Sequence, residues 1–331
     1  MRMPALPTLA GALTAVLVVC AGLPPAAAQE TLDSFSQITT PQKSGKLTSF
    51  NPLVTGDDIV APAANLRDIR CEAMLTKGGA AMQHGLSWRV FSPIPGADGK
   101  LPLLASSEGG SAAFQLVPGE YFVNVAFGRA GATKKLIIPE SGPVDKQVLV
   151  LDAGGIMLNA VSGSDMRIPP KELSFSIYSD EVTEDGERGL IVAGVKPNTV
   201  VRLNAGTYHV VSDYGTVNAV IRADIQVEAG KLVKATIQHR AAKLTLKLVS
   251  EAGGEAIADT AWSILTGSGD VVSESVGAFP TLVLAEGNYT AIARNKDRIY
   301  QREFTVKAGQ NTDVEVLLEE AGAAESAGFP D

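Results

Sequence analysis

The chain has 331 residues, and because domains usually hold roughly 100–200 residues, this length favours two or three domains over one. Hydrophobic residues make up 45% and charged residues 19% of the chain, a balance that supports buried cores and argues against wholesale disorder. The formal net charge of -8 argues against nucleic-acid binding, which needs a strongly basic surface.

Residues 1–28 have the pattern of a secretory signal peptide. Arg2 precedes an apolar stretch from Leu9 to Leu23, and the small residues that follow predict cleavage after Ala28. The stretch is too short to span a membrane, and no later segment is long and apolar enough to do so. We therefore expect a periplasmic or secreted protein that is not an integral membrane protein.

The chain contains two cysteines, Cys20 and Cys71. Bulky Val19 precedes Cys20, whereas lipid-modified signals usually carry a small residue there, so we do not expect lipid anchoring at Cys20. Cleavage leaves Cys71 alone, so the mature domains must be stable without an intramolecular disulfide. The alternation of apolar residues across Ile69–Leu75 predicts a buried strand position for Cys71 rather than a reactive thiol.

The two ends of the mature chain differ from its middle. Residues 29–65 are rich in Thr, Ser, Pro, Gln and Gly and predict a flexible leader, and the small, polar residues 321–331 predict a disordered tail. Ala61–Arg70 is the only stretch that we consider as a helix.

An internal repeat occupies the middle of the chain. The frame Leu-x-x-Gly-x-Tyr occurs three times, with its glycines 87 and 81 residues apart: Gly119, Gly206 and Gly287. An aromatic landmark recurs at a spacing of 87 residues in Trp88, Phe175 and Trp262, and a closing strand recurs in Lys146–Leu151, Val233–Gln238 and Asp313–Leu318. Three landmarks in one order predict three domains of one type, at residues 66–152, 153–240 and 241–320.

Within each repeat the apolar residues alternate with a period of two, which predicts strands. The first repeat holds seven such runs: Ile69–Leu75, Leu86–Phe91, Leu103–Ser107, Ala113–Leu116, Tyr121–Phe127, Thr133–Ile138 and Lys146–Leu151. Short strands at this spacing are typical of β-sandwiches. We therefore predict an all-β protein of three tandem seven-stranded Greek-key sandwiches.

The repeated tyrosines, Tyr121, Tyr208 and Tyr289, follow a turn. In Greek-key sandwiches a tyrosine in this place donates its hydroxyl to a backbone group a few residues upstream and so holds the crossover between the sheets. We predict tyrosine corners with buried rings and satisfied hydroxyls at all three positions.

The repeated frame, followed by a strand, a glycine and a closing strand, resembles prealbumin-like modules of the carboxypeptidase regulatory-like type and related bacterial immunoglobulin-like repeats. The resemblance covers about residues 66–320 and is specific for the sandwich, not for an activity. It implies a spacer, an adhesive unit, or a carbohydrate- or protein-binding accessory. Such modules usually accompany another domain, and no catalytic domain accompanies them here.

The sequence contains none of the motifs that commonly mark nucleophilic, nucleotide-binding or zinc sites. His84, His209 and His239 occur in different contexts, and His209 is interpreted as a surface or satisfied strand residue. The acidic stretch at residues 180–187 is the best calcium candidate, but a solvated hairpin between Tyr178 and Leu190 fits it better. We predict no catalytic residue, no metal site and no cofactor.

A basic hairpin in the third repeat is the remaining candidate for ligand contact, through Arg294, Lys296, Arg298 and Arg302. These cations either contact an anionic glycan or an acidic partner or, as the simpler interpretation, protect an edge strand from strand addition. Trp88 and Trp262 fit core packing better than an exposed sugar-binding face.

These observations lead to a first hypothesis of a non-catalytic exported scaffold or binding protein of the bacterial cell envelope. It would present loops and edge strands to a partner, either an envelope protein or a glycan. A carbohydrate-binding accessory protein is the alternative, and an enzyme would require a cleft with perturbed carboxylates. The short junctions near Asp152–Ile156 and Arg240–Lys243 indicate limited movement between the domains.

Overall fold

The computed structural model describes residues 65–318. The predicted signal peptide (1–28), nearly all of the predicted leader (29–65), the predicted tail (321–331) and Cys20 lie outside the described residues.

The described residues form strands joined by turns, with one short 3-10 turn at Pro170–Glu172. The first set comprises β1 (Arg67–Met74), β2 (Leu86–Phe91), β3 (Leu103–Gly109), β4 (Ala112–Leu116), β5 (Gly119–Phe127), β6 (Ala130–Ile138) and β7 (Gln147–Val150). The second comprises β8 (Ala153–Ser162), β9 (Met166–Arg167), β10 (Leu173–Val182), β11 (Arg188–Val195), β12 (Val200–Asn204), β13 (Gly206–Tyr214), β14 (Val220–Val227) and β15 (Leu232–His239). The third comprises β16 (Ala241–Val249), β17 (Ala261–Thr266), β18 (Val271–Val276), β19 (Thr281–Ala285), β20 (Gly287–Asn295), β21 (Arg298–Val306) and β22 (Thr312–Leu317).

We call β1–β7, β8–β15 and β16–β22 the first, second and third modules. Each module contains a smaller sheet, in the order β4-β1-β7, β12-β8-β15 or β19-β16-β22, and short β9 also pairs with β8. Each also contains a four-stranded antiparallel sheet, in the order β3-β2-β5-β6, β11-β10-β13-β14 or β18-β17-β20-β21. The first strand of every module pairs in parallel with the last, and all other pairings are antiparallel.

In the second and third modules the two sheets share a hydrophobic core. In the second module, Ile156 and Leu203 of the smaller sheet pack in one cluster with Phe175 and Val210 of the larger sheet. The third module has a corresponding cluster built around Trp262. Alternating burial along the strands produces these cores, because successive strand residues face opposite sides of a sheet.

The all-β sandwich prediction is confirmed, and each of the seven runs predicted in the first repeat overlaps an observed strand. The helical interpretation of Ala61–Arg70 is wrong for its described part, since Arg67 begins β1. Ile69, Cys71 and Ala73 are buried while Asp68 and Arg70 are exposed. This period of two suits a half-buried strand and would scatter the apolar residues around a helix.

Among the described residues no helix has the length and apolar character of a membrane span.

Candidate interaction surfaces

The three repeated tyrosines hold the turn that precedes their strands. Each hydroxyl donates to the carbonyl four residues upstream: Tyr121 to Val117 at 2.9 Å, Tyr208 to Asn204 at 2.8 Å and Tyr289 to Ala285 at 3.0 Å. Tyr121 and Tyr289 are buried, whereas Tyr208 is only partly buried and packs at the margin of the second core. The expectation of a buried ring is therefore wrong for Tyr208, whereas its hydroxyl is satisfied.

The aromatic landmark belongs to the core. Trp88 and Trp262 are 0% and 1% exposed, and their indole nitrogens donate to the carbonyls of Gly110 and Gly277 at 2.8 and 3.0 Å. Buried tryptophans with satisfied N–H groups offer no stacking platform to a sugar.

The acidic stretch at residues 180–187 forms the end of the β10–β11 hairpin. Asp180 pairs with Arg188 at 3.3 Å, and the backbone N–H of Thr183 donates to the carbonyl of Glu187 at 2.8 Å. Tyr178 and Leu190 lie opposite each other in this hairpin. Within residues 65–318, no three His, Cys, Asp or Glu side chains lie close enough together to hold a metal ion.

Cys71 is fully buried in β1, and burial raises the pKa of its thiol to about 11. A thiol with so high a pKa carries almost no thiolate at neutral pH and is a poor nucleophile. The role that the structure supports for Cys71 is therefore that of a small buried side chain in the core.

The three histidines lie apart. His84 is exposed, and His209 pairs with Asp224 at 2.7 Å on the partly exposed face of its strand. His239 is buried at the end of β15, where its Nε2 lies 2.8 Å from the Ser212 hydroxyl. Burial lowers the pKa of His239 to about 4, so its imidazole is neutral at physiological pH.

The junction between the first and second modules is built by the β5–β6 hairpin. The N–H of Arg129 donates to the carbonyl of Arg202 at 3.1 Å, and the Asn204 side chain makes two 3.1 Å hydrogen bonds to the backbone of Gly131. The Arg202 guanidinium lies 4.5 Å from the centre of the Phe127 ring, a cation–π distance.

The second and third modules meet through the equivalent β13–β14 hairpin. Asn218 accepts from the N–H of Ala285 at 2.9 Å and donates to the Tyr289 hydroxyl at 2.9 Å. Val283 of β19 belongs to the core cluster of the second module, and Val217 packs against the core of the third.

A salt bridge adds to this second junction. Lys243 at the start of β16 pairs with Glu172 of the second module at 2.7 Å, and both side chains are partly buried. Hydrogen bonds, apolar packing and an ion pair therefore all cross between these modules. The limited movement expected from the short junctions near Asp152–Ile156 and Arg240–Lys243 stays a prediction.

The basic hairpin predicted from the sequence is the β20–β21 hairpin. Lys296 lies at its tip, Arg294 precedes the tip in β20, and Arg298 and Arg302 follow in β21, all of them exposed. The Arg302 guanidinium donates to the carbonyl of Glu315, so it is held against the neighbouring strand β22. The four cations are thus spread along one hairpin and are not gathered into a pocket.

One edge of the larger sheet is exposed in the same way in every module. These edge strands are β3, β11 and β18, and each carries large exposed apolar side chains: Leu103 and Leu104, Leu190, and Val271 and Val276. Neither β3 nor β18 contains a lysine or arginine. The opposite edges carry charges, such as Lys134 and Lys135 in β6.

Sequence reasoning missed the junction residues, although a signal for them exists. An aromatic residue followed by glycine occurs at Phe127-Gly128 and again 87 residues later at Tyr214-Gly215. Both pairs end the strand that carries the repeated tyrosine. The burial of His239 had no such signal, because its neighbours Ser212 and Tyr214 are distant in the chain.

A family model described as a Rhizobiales growth-associated tandem repeat domain matches residues 243–318, which lie in the third module and make up less than half of the chain. None of the curated proteins matches the chain significantly in sequence.

Several solved structures align with low similarity. The Bacillus anthracis TIE protein is 17% identical over 76% of this chain and 50% of its own, with a TM-score of 0.22, so the chain spans about half the length of that protein. A streptococcal ancillary pilin is 13% identical over 76% of this chain and 98% of its own, with a TM-score of 0.25. The major pilin subunit BcpA of Bacillus cereus is 12% identical over 76% and 99%, with a TM-score of 0.20. Similarities this low transfer no function to the present chain.

Proposed function

We propose that this chain is a non-catalytic, exported scaffold or binding protein of the bacterial cell envelope that presents edge strands to a protein partner. The observation that carries the proposal is the recurrence of one edge strand with large exposed apolar side chains, β3, β11 and β18, in all three modules. The predicted signal peptide supports export, and the contacts across both junctions support a scaffold that holds these edges in a fixed order.

An edge strand leaves every second backbone N–H and C=O without a partner in its own sheet, and soluble proteins usually protect such edges with charges, prolines or bulges. The residue composition of β3 and β18 lacks the cationic protection. A register shift does interrupt the pairing of β2 with β3 after Val90 and that of β17 with β18 after Ile264. Regular pairing is left at Ala105–Gly109 and Ser273–Val276, where an added strand would find a straight template.

The module type and the ligand class also belong to this proposal. The strand order and the tyrosine turns support the resemblance to carboxypeptidase regulatory-like sandwiches. The carbohydrate-binding alternative would need exposed aromatic rings, and the buried Trp88 and Trp262 count against it.

The test is a pulldown from the native envelope with the mature chain as bait. An edge variant carries one lysine in each module, at Leu104→Lys, Leu190→Lys and Val271→Lys, because charged residues on an edge block strand addition. A control variant adds the same charge to exposed positions on the opposite edges, at Ile137→Lys, Gln226→Lys and Gln301→Lys.

We expect the wild type and the control variant to recover the same protein partner and the edge variant to lose it. Equal recovery by the edge variant would contradict strand presentation. Recovery of polysaccharide instead of protein would favour the carbohydrate-binding alternative.

A further inference from the structure

The three hairpins that follow the repeated tyrosines have different surroundings. The β5–β6 and β13–β14 hairpins each pack on the next module, as described above. The β20–β21 hairpin is the third of the series, and within residues 65–318 no further module covers it. Its tip residues 296–299 are all exposed.

Equivalent positions show how the third hairpin departs from the other two. Phe127 and Tyr214, which end the earlier tyrosine strands, are buried, and the equivalent residue of β20 is Asn295. The alanines opposite them across the turn, Ala130 and Ala219, are 1% and 4% exposed, whereas the equivalent Arg298 is exposed. The third hairpin has therefore exchanged small and aromatic residues for polar and charged ones.

The third hairpin and the strands beside it nevertheless carry exposed apolar side chains. Val276, Ala261, Arg294 and Ile299 lie side by side across the four strands of the larger sheet. They line one shallow groove, in which Val276 and Ile299 are 77% and 66% exposed. A purely solvent-facing cap would not require these two apolar residues.

At each junction the hairpin packs on a receiving strand of the next module, and the equivalent strand of the first module is not covered by a hairpin of the described residues. In the second and third modules, the hairpin of the preceding module seats on Arg202 of β12 and on Val283 of β19. The equivalent residue in the first module is Gln115 of β4, by the pairing of β4, β12 and β19 with the first strand of each module. Gln115 is exposed, and the following Val117 is 41% exposed.

We propose that the β20–β21 hairpin docks on β4 of a second copy of this chain, so that copies associate head to tail. The contact would use, between molecules, the surfaces that join the modules within one molecule. Lys296 takes the place of Gly128 and Gly215, so the third hairpin would lie further from the receiving strand than the two covered hairpins do. Because the two surfaces differ, the association is heterologous and adds further copies instead of closing a dimer. The proposal goes beyond the strand-presentation function and uses the β20–β21 hairpin and β4. Of the three edge strands, only β18 contributes to the same groove, and Val276 at its end lies in it.

Charge favours the first module as the receiver. Asp68 accepts a hydrogen bond from the Gln115 side chain at 3.1 Å, which places a carboxylate and an amide where the hairpin would bring Lys296 and Arg294. In the second module the receiving residue is the cation Arg202, which would repel Lys296. Arg67, which precedes Asp68 in β1, is held by the carbonyls of Glu140 and Gly142. Arg70 is exposed on the same face of β1 as Asp68.

Sedimentation velocity of the mature chain over a wide concentration range tests the proposal. We expect the mean mass to rise with concentration through a series of oligomers. Two variants each disable one surface: Ile299→Asp on the hairpin and Val117→Asp on the receiving strand. Ile137→Asp is the matched control, because Ile137 is similarly exposed and lies on neither surface.

Each disabled variant alone should remain a monomer, and an equimolar mixture of the two should form a dimer that does not grow, since one intact hairpin meets one intact receiving strand. Ile137→Asp should assemble as the wild type does. A wild type that stays monomeric overturns the proposal, and so does a mixture that stays monomeric. Self-association of Val117→Asp alone would show a hairpin-to-hairpin contact and would also overturn it.

Discussion

At the scale of single residues, the tyrosine hydroxyls connect a local turn to the junctions between modules. Tyr208 makes one hydrogen bond, to the carbonyl of Asn204, whereas Tyr289 donates to Ala285 and accepts from Asn218 of the preceding module. One residue type in one repeated position therefore serves the turn alone in one module and the turn together with the junction in another.

Removing these hydroxyls should separate the two roles. Tyr208→Phe should lower the free energy of unfolding by about 1 kcal/mol, the usual net value of one hydrogen bond. Tyr289→Phe should cost more, because Asn218 also loses a partner. Denaturant unfolding of both variants against wild type measures the difference, and a Tyr208→Phe curve that coincides with wild type would refute the structural role of that corner.

His239 gives the stability a pH dependence. Its Nδ1 has no hydrogen-bond partner among the described atoms, its Nε2 contacts Ser212, and the Tyr214 ring meets it edge-on at 5.8 Å. Burial lowers the pKa from 6.5 to about 4, so the unfolded chain binds this proton more readily than the folded one. The free energy of unfolding therefore falls as the pH drops from about 6.5 to about 4.

Across this whole pH range, protonation of His239 should lower the free energy of unfolding by about 3 kcal/mol. This figure follows from the shift in pKa and from the free energy of about 1.4 kcal/mol that corresponds to one pKa unit. Urea unfolding should be measured between pH 7 and pH 5. This range covers most of the expected change in the free energy of unfolding, and most carboxylates stay ionised within it. His239→Gln should flatten this slope relative to wild type. Parallel slopes for the two proteins would show that His239 is not the group responsible.

At the scale of elements, each covered hairpin approaches the next module at a glycine. Gly215 has a φ of +74°, and a Cβ placed on it would lie 2.8 Å from the Cβ of Val283. Gly128 has a φ of +66°, and its Cβ would lie 3.0 Å from that of Arg202. The left-handed backbone and the close approach both favour glycine at these two positions.

Gly215→Ala should therefore destabilise the protein through backbone strain and through displacement of Val283 in the second core. Gly253→Ala is the matched control, because Gly253 has a φ of +76° and open space around its Cβ position. The control should cost about 1 kcal/mol for the left-handed backbone alone. Gly215→Ala should cost about 1–2 kcal/mol more, a typical overpacking cost, and equal losses would argue against a tight junction.

The sequence pattern predicted where strands begin and end, but it did not predict which strands lie at the edge of a sheet. The alternation in Leu86–Phe91 placed β2 at its observed bounds, because burial of every second residue is a local property. The same alternation cannot tell that β3 lies at an edge while β2 lies inside the sheet. Edge status depends on which strands pair, and those partners come from elsewhere in the repeat.

At the scale of the whole molecule, the repeated sequence forms the same backbone contacts at both junctions between modules. The N–H groups of Ala205 and Glu286 donate to the carbonyls of the linker residues Asp152 and Arg240, at 2.6 and 2.8 Å. Both junctions thus begin with the same backbone bond and continue with the same hairpin. The side chains then differ, with Arg202 over an aromatic ring in one junction and Val283 in an apolar core in the other.

Local periodicity and a constant spacing of landmarks were enough to predict the three repeats, the strand-rich fold and the tyrosines of the turns. Which surfaces are covered and which are exposed depends on the tertiary structure. The fold covered two hairpins and left the third exposed, and it enclosed His239 beside Ser212. These outcomes depend on contacts between residues far apart in the chain, such as Asn218 with Tyr289, and no local pattern contains them.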